Sequence, residues 1–237
     1  MDQFDTTALA LASLATGLGA AVQGAVGFGM ALVAAPLLVL IDPRLVPGPI
    51  QLATFVFALL TSGRELKHID SRGVTIALIG RLPGIALGAY ALAKLSDEAL
   101  SRCFALIVLL AVLITVLGAR WKPTTSALLG AGLLSGVMGT VSSIGGPPIA
   151  LVYADEDGPR LRSTLALYFM IGSALSMVAL VLVGRFGSAE VHATLWLLPG
   201  TLAGYVLSSP LRHVLDRGYT RMAVLAVSAA AACLVLL

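Results

Sequence analysis

Apolar residues in this chain fall into eight runs, roughly 7–41, 47–63, 73–93, 99–118, 124–153, 163–184, 188–209 and 219–237, separated by short charged or turn-rich gaps. No stretch is left from which a water-soluble domain could be built. With 58% hydrophobic residues, 11% charged residues and a mean hydropathy of +0.98, the pattern specifies an all-α polytopic membrane protein. The net charge of +3 does not indicate nucleic acid, because the basic residues are scattered among short loops instead of forming a patch. The opening Met1 to Asp5 lacks a basic segment and a cleavage pattern, so no removable signal peptide is expected. Cys103 and Cys233 each sit inside an apolar run, where small core residues are the ordinary reading.

Two runs are too long. A single helix over 7–41 would measure about 52 Å at about 1.5 Å per residue, against a hydrocarbon core of about 30 Å. Near the middle of that run lie Gly24, Gly27 and Gly29, with Pro36 beyond. Near the middle of the fifth run lie Gly139, Gly145 and Gly146, followed by Pro147 and Pro148. Glycine costs about 1 kcal/mol and proline about 3 kcal/mol in a helix interior, so these clusters are interruptions. Backbone freed at membrane depth must be buried in protein or line a wet cavity. A re-entrant or broken helical hairpin in each run explains both the length and the breakers; a long tilted helix is the competing geometry.

The halves repeat. Leu82-Pro83-Gly84 followed by Gly88 recurs as Leu198-Pro199-Gly200 followed by Gly204, and Asp97 with Arg102 recurs as Asp216 with Arg221. Gly24 to Gly84 is 60 residues and Gly139 to Gly200 is 61, so the landmarks agree on one period of about 115 to 119. The expected organisation is two transmembrane repeats, 1–120 and 121–237, each a broken hairpin plus three transmembrane helices.

Charge tests the hairpins. If all eight runs crossed, the Lys and Arg outside the apolar cores would divide eight to six. If the first and fifth runs return to their starting side, Arg44, Lys94, Arg102 and Arg185 stay on one side and the remaining ten gather on the other. A split of 10 to 4 obeys the positive-inside rule, places both termini outside the cytoplasm, and leaves three crossings per half, which inverts one repeat relative to the other.

Enzyme signals are weak. His68, His192 and His213 fall in or beside loops, with no HExxH spacing, CxxC pair or Walker lysine, and Gly17-Leu18-Gly19 lacks the rest of a dinucleotide fingerprint. No catalytic group, metal or cofactor is expected. Arg81 is more informative: it lies about nine residues inside the third run, where a charge costs several kcal/mol unless paired or wet. Its repeat partner is Leu197. Arg81 either snorkels or pairs with a helix C-terminus or a loop carboxylate, or it is an anion ligand. The carboxylates all sit in loops or at run ends, which disfavours a cation carrier and leaves an anion site open. Helix N-termini exposed at the two breaks would add N–H donors and partial positive charge. Thr140, Ser142 and Ser143 offer hydroxyls, and Gly24, Gly27, Gly29, Gly139, Gly145 and Gly146 allow close approach. Gln23, Gln51, Thr54 and Tyr168 complete the candidate substrate-binding set, with Ser163 and Thr164 nearby; helix–helix hydrogen bonding is the commoner use of such residues in membranes. Gly80, Gly84 and Gly88 are spaced for close helix packing.

The chain resembles the TauE/SafE family of sulfite exporters. The resemblance rests on Gly24-Ala-Val-Gly-Phe-Gly29 with Pro36-Leu-Leu38, on Gly136-Val-Met-Gly139 running to Gly145-Gly-Pro-Pro148, and on the paired Leu-Pro-Gly motifs. It implies a secondary transporter of a small sulfur-containing anion, such as sulfite or an organosulfonate, in the bacterial cytoplasmic membrane. The expected partners are that anion and the lipid bilayer, with no nucleic acid; proton coupling and homo-oligomerisation stay open. An anion channel and a non-transporting membrane subunit are the rival functions.

Overall fold

The structure is a computed structural model that describes residues 6–63, 66–117 and 121–215, with backbone alone at 66 and over 211–215. Among the described residues it is helical throughout: α1 Thr6–Val26, α2 Met30–Ile41, α3 Gly48–Ser62, α4 Ser71–Lys94, α5 Asp97–Leu117, α6 Thr125–Ser142, α7 Gly146–Val152, α8 Gly158–Leu182 and α9 Ser188–Leu215. Short 3-10 turns, Pro43–Leu45 and Leu66–His68, link α2 to α3 and α3 to α4. Six segments are long and apolar enough to cross a bilayer: Thr6–Val26, Pro43–Ser62, Ser71–Lys94, Asp97–Leu117, Thr125–Ser142 and Gly158–Leu182. The apolar runs locate these helices closely, although α8 begins five residues before its run, at Gly158, and α9 continues past its run to Leu215. The eighth run, Asp216, Arg221 and Cys233 lie outside the described residues.

Helix starts follow local chemistry. Asp70 caps α4 by accepting from the Gly73 N–H at 2.9 Å, and Thr124 caps α6 by accepting from the Ala127 N–H at 3.3 Å. Proline occupies the first turn of α3, α7 and α8, where its missing N–H removes no intrahelical bond.

Both overlong runs break and double back. The first breaks at Gly27 and Gly29, with φ of +103° and +119°. Met30 then lies beside Gly19, so that a Cβ at Gly19 would strike the Met30 carbonyl. Eleven residues of continuous helix would put those positions about 16 Å apart. The second run breaks at Ser143, with φ of +64°, and Gly145 returns to Ser135, whose hydroxyl donates to the Gly145 carbonyl at 2.6 Å. A long tilted helix is therefore excluded in both places. At 12 and 7 residues, the returning α2 and α7 are about 18 Å and 10 Å long, too short to cross.

Helix directions follow from pairs of contacts. α1 and α9 run parallel: Gly200 donates its N–H to Ser13 at 3.0 Å, and further along Gly24 meets Ser208. α4 and α6 run parallel, from Gly80 against Leu129 to Gly88 against Thr140. α3 runs parallel to α9, with Thr194 bonding the Pro49 carbonyl at 3.2 Å and Tyr205 the Leu60 carbonyl at 3.3 Å. It runs opposite to α8, since Gly48 abuts Phe186 while Asp70, beyond α3, donates its N–H to Thr164 near the start of α8 at 3.1 Å. Hence α1, α3 and α9 point one way and α4, α6 and α8 the other. The tightest seams are glycine-made: backbone carbonyls of Leu133 and Ser13 occupy the space where Gly84 and Gly200 would carry a Cβ.

Candidate functional site

Arg81 sits in the middle of α4 with 2% of its surface exposed. Residues with no bulk make room for it: a Cβ at Gly172 would meet its Cζ and Nε at 2.7 Å, and one at Gly139 its Nη2 at 3.0 Å. The guanidinium is held on three sides. Nη1 donates to Ser135 Oγ at 3.1 Å, Nη2 donates to Ser176 Oγ at 3.3 Å, and the Tyr168 ring lies beneath with its centroid 5.1 Å from Cζ. The network continues from Ser176 to Thr140 at 3.2 Å, and from Ser135 to the Gly145 carbonyl, so α4, α6, α8 and the second break meet at one cation. Every protein partner is neutral; among the described residues no carboxylate pairs with Arg81.

Arg81 forms part of the wall of a cavity between the two breaks. The first break contributes Gln23 and Gly29, the second Ser143, Gly145 and Gly146, α3 contributes Gln51 and Thr54, and α8 contributes Phe169 and Ser173. Gln23 is oriented by backbone beyond the first break: the Met30 N–H donates to Gln23 Oε1 at 3.0 Å, which occupies the amide oxygen. The space open to the centre of a water molecule is about 20 Å³, room for about one water. Among the described residues the wall holds one full positive charge and no acid. A buried anion is the species such a wall complements.

The family model described as sulfite exporter TauE/SafE matches residues 11–235, nearly the whole chain. The chain belongs to the TauE/SafE family. It is therefore a multi-pass membrane protein of a transporter family, consistent with its apolar helices. No curated protein and no solved structure matches it.

Of the residues that the sequence of this TauE/SafE protein singles out, Gln23, Gly29, Gln51, Thr54, Arg81, Ser143, Gly145 and Gly146 converge on the cavity. Gly139 and Tyr168 lie against the Arg81 guanidinium. Gly24, Gly27 and Ser142 stand elsewhere. Gly24 packs on Ser208 and Phe57, and Gly27 on Arg162. Ser142 bonds its own helix, donating to Met138 O at 2.7 Å and accepting from the Ile144 N–H at 3.2 Å. The expected pair of donor-rich helix starts is also unequal. Pro147 and Pro148 open α7 and have no N–H to offer, so only α2 begins with a proline-free turn. Ser135, Ser173 and Ser176 were not legible as site residues. They resemble other small residues of their helices, and only a helical projection placing Ser173 and Ser176 beside Tyr168 and Phe169 hints at them.

Proposed function

We propose that the chain is a secondary transporter carrying a small sulfur-containing anion, sulfite or an organosulfonate, across the bacterial cytoplasmic membrane by alternating access. The observation that carries this reading is the buried Arg81 in the cavity wall, bonded among the described residues to neutral groups alone. An arginine at such depth costs about 3 kcal/mol or more, and an anion supplies the missing countercharge. The cavity's small volume speaks against a water-filled channel.

The architecture of the proposal is two repeats, 1–120 and 121–237, inverted relative to each other. Corresponding helices run in opposite directions: α1 against α6, α3 against α8, and α4 against α9, which supports that reading. With returning hairpins, the 10 to 4 division of basic residues supports a cytoplasmic Arg160 side and periplasmic termini. A monovalent anion leaving a cell that is negative inside moves downhill by about 2.3 kcal/mol per 100 mV, so export needs no further energy source.

The test is sulfite flux in proteoliposomes. Arg81→Ala is expected to reduce flux to the protein-free background, with Arg81→Lys retaining a fraction, because a lysine keeps the charge but loses the fork held by Ser135 and Ser176. Thermal unfolding in detergent establishes that both variants are folded. Wild-type flux through a folded Arg81→Ala protein would sink the proposal.

A further inference from the structure

The two hairpin tips are docked crosswise. At the first break Gly27 packs on Arg162 of α8, where a Cβ at Gly27 would meet the Arg162 Cγ at 3.1 Å and its Cβ at 3.7 Å. The next residue, Phe28, abuts Gly146 and packs on the apolar cluster that holds Leu128 and Ile149 of the second hairpin, together with Val74 of α4 and Leu165 of α8. At the second break Ser143 donates its hydroxyl to the Pro47 carbonyl at 3.1 Å. The next residue, Ile144, is buried in the cluster that holds Leu9 and Leu38 of the first hairpin, together with Ile50 of α3 and Leu197 of α9. Each tip thus places its apolar residue in the core built on the other hairpin. The positions also correspond: 116 residues separate Gly27 from Ser143 and Phe28 from Ile144, within the period of the repeated landmarks.

These dockings stand on opposite sides of the cavity. Because α3 and α8 are antiparallel, Pro47 at the start of α3 and Arg162 near the start of α8 lie toward opposite ends of the pair. Gln51 and Thr54, about one and two turns beyond Pro47, line the cavity, as does Phe169, about two turns beyond Arg162. Ile144 itself lines the cavity, and Phe28 stands against Gly146, which does. Close-packed apolar side chains bar a hydrated anion. Resting on the anion-transport reading above, we infer that Phe28 and Ile144 are the two gates of the site. Withdrawing the Gly27 and Phe28 tip from α8 opens the cavity toward the end where α8 begins, and withdrawing the Ser143 and Ile144 tip from the start of α3 opens it toward the other end.

Access to a cysteine in the cavity tests this in sealed right-side-out and inverted membrane vesicles. Thr54→Cys is combined with Cys103→Ser and Cys233→Ser, and labelled with an anionic, membrane-impermeant thiosulfonate. Phe28→Ala is expected to raise the labelling rate at least threefold from the face where α8 begins and to leave it unchanged from the other face; Ile144→Ala should do the reverse. Labelling raised from one and the same face by both substitutions, or by neither, overturns the inference. A cross-link gives a check with both plugs intact. The 3.7 Å between a Cβ at Gly27 and the Arg162 Cβ suits a disulfide. Gly27→Cys with Arg162→Cys, again with Cys103→Ser and Cys233→Ser, is expected to lose sulfite flux at least tenfold on oxidation and to recover it on reduction. Full flux through the oxidised, thiol-free protein, or failure of the folded protein to cross-link, overturns the inference too. If labelling follows the two plugs while the Cys103→Ser, Cys233→Ser parent moves no sulfite, the gates stand and the anion-transport reading falls.

Discussion

At the first break the chain turns on two glycines, Gly27 and Gly29, and a glutamine side chain closes the exposed backbone. At the second it turns on Ser143 and is restarted by Gly146, Pro147 and Pro148. The same scaffold is thus built twice from different chemistry. The difference extends to the neighbouring helices. Arg81 stands over the second break, tied to Ser135, Ser176 and Tyr168, whereas Leu197, its counterpart in the proposed repeat, is fully buried in an apolar cluster with Leu9, Ala12 and Met30. The charge, carried on α4, thereby lies against the second hairpin. The first supplies neutral groups, Gln23 and Gly29, from the opposite wall. On the proposed inverted-repeat reading, such a frame would keep a single charged contact for its anion while its two halves exchange places.

The harshest way to break this comparison is to charge both halves. Leu197→Arg would place a guanidinium at a site with no exposed surface, inside an apolar cluster, and should destabilise by about 3 to 5 kcal/mol. The expected readout is loss of monodisperse folded protein in detergent; a stable variant would mean that polar groups around position 197 can take up the charge. The next largest effect is expected at Gly172→Ala. Its Cβ would land 2.7 Å from the Arg81 Cζ and Nε, displacing the guanidinium at a cost of about 1 to 3 kcal/mol, with sulfite flux reduced at least tenfold. Gly130→Ala on α6 is the control. Open space surrounds that position, and the substitution should be neutral or stabilise by up to about 1 kcal/mol.

Run lengths, the two breaks and the buried arginine were all legible in the sequence, because each violates a strong rule: too long for a bilayer, too many helix breakers, a charge at depth. The doubling back was legible as a conflict between run length and membrane thickness. The arginine's partners were not, since Ser135, Gly172 and Ser176 break no rule and matter only through which helix faces which. Nor did the sequence separate Ser142 from Ser143. The two are adjacent, but the helix ends between them, so one hydroxyl returns to Met138 while the other leaves to donate to the Pro47 carbonyl at 3.1 Å.

That difference between turning residues makes a finer test. Gly29→Ala forces a Cβ into a backbone with φ of +119° and to 3.3 Å from Val22 Cγ1, and should cost about 1 to 2 kcal/mol in thermal unfolding. Ser143→Gly should be close to neutral. It relieves a left-handed serine worth about 1 kcal/mol and forfeits the bond to Pro47, worth a similar amount. Equal losses at both positions would mean the two turns are strained alike.

The smallest effects concern how each hairpin is tethered where it ends. After α7, the buried Tyr153 donates its hydroxyl to Asp70 at 3.1 Å, joining the hairpin to the start of α4, and Arg160 of α8 lies 3.9 Å from the same carboxylate. Burial, followed by the Asp70 charge, pushes the Tyr153 hydroxyl above its ordinary range, so it remains a donor and Tyr153→Phe should lose about 1 kcal/mol uniformly from neutral to mildly alkaline pH. After α2 the tether is local. Among the described residues the Asp42 carboxylate pairs with Arg44, two residues on, at 2.7 Å, and Arg44 is 54% exposed. Burial raises the Asp42 carboxyl, but the hydrogen bonds and charge of Arg44 outweigh it and hold the group below its ordinary 3.8. A carboxyl depressed in the folded state stabilises above its unfolded value, and that contribution disappears as pH falls below about 3.8 through the folded one. Because the pair is solvent-screened, Asp42→Asn should cost no more than about 0.5 kcal/mol at neutral pH, and the gap to wild type should close in a scan below pH 3.8. A larger, pH-independent loss in Asp42→Asn would show that the first hairpin is anchored to its neighbours as firmly as the second.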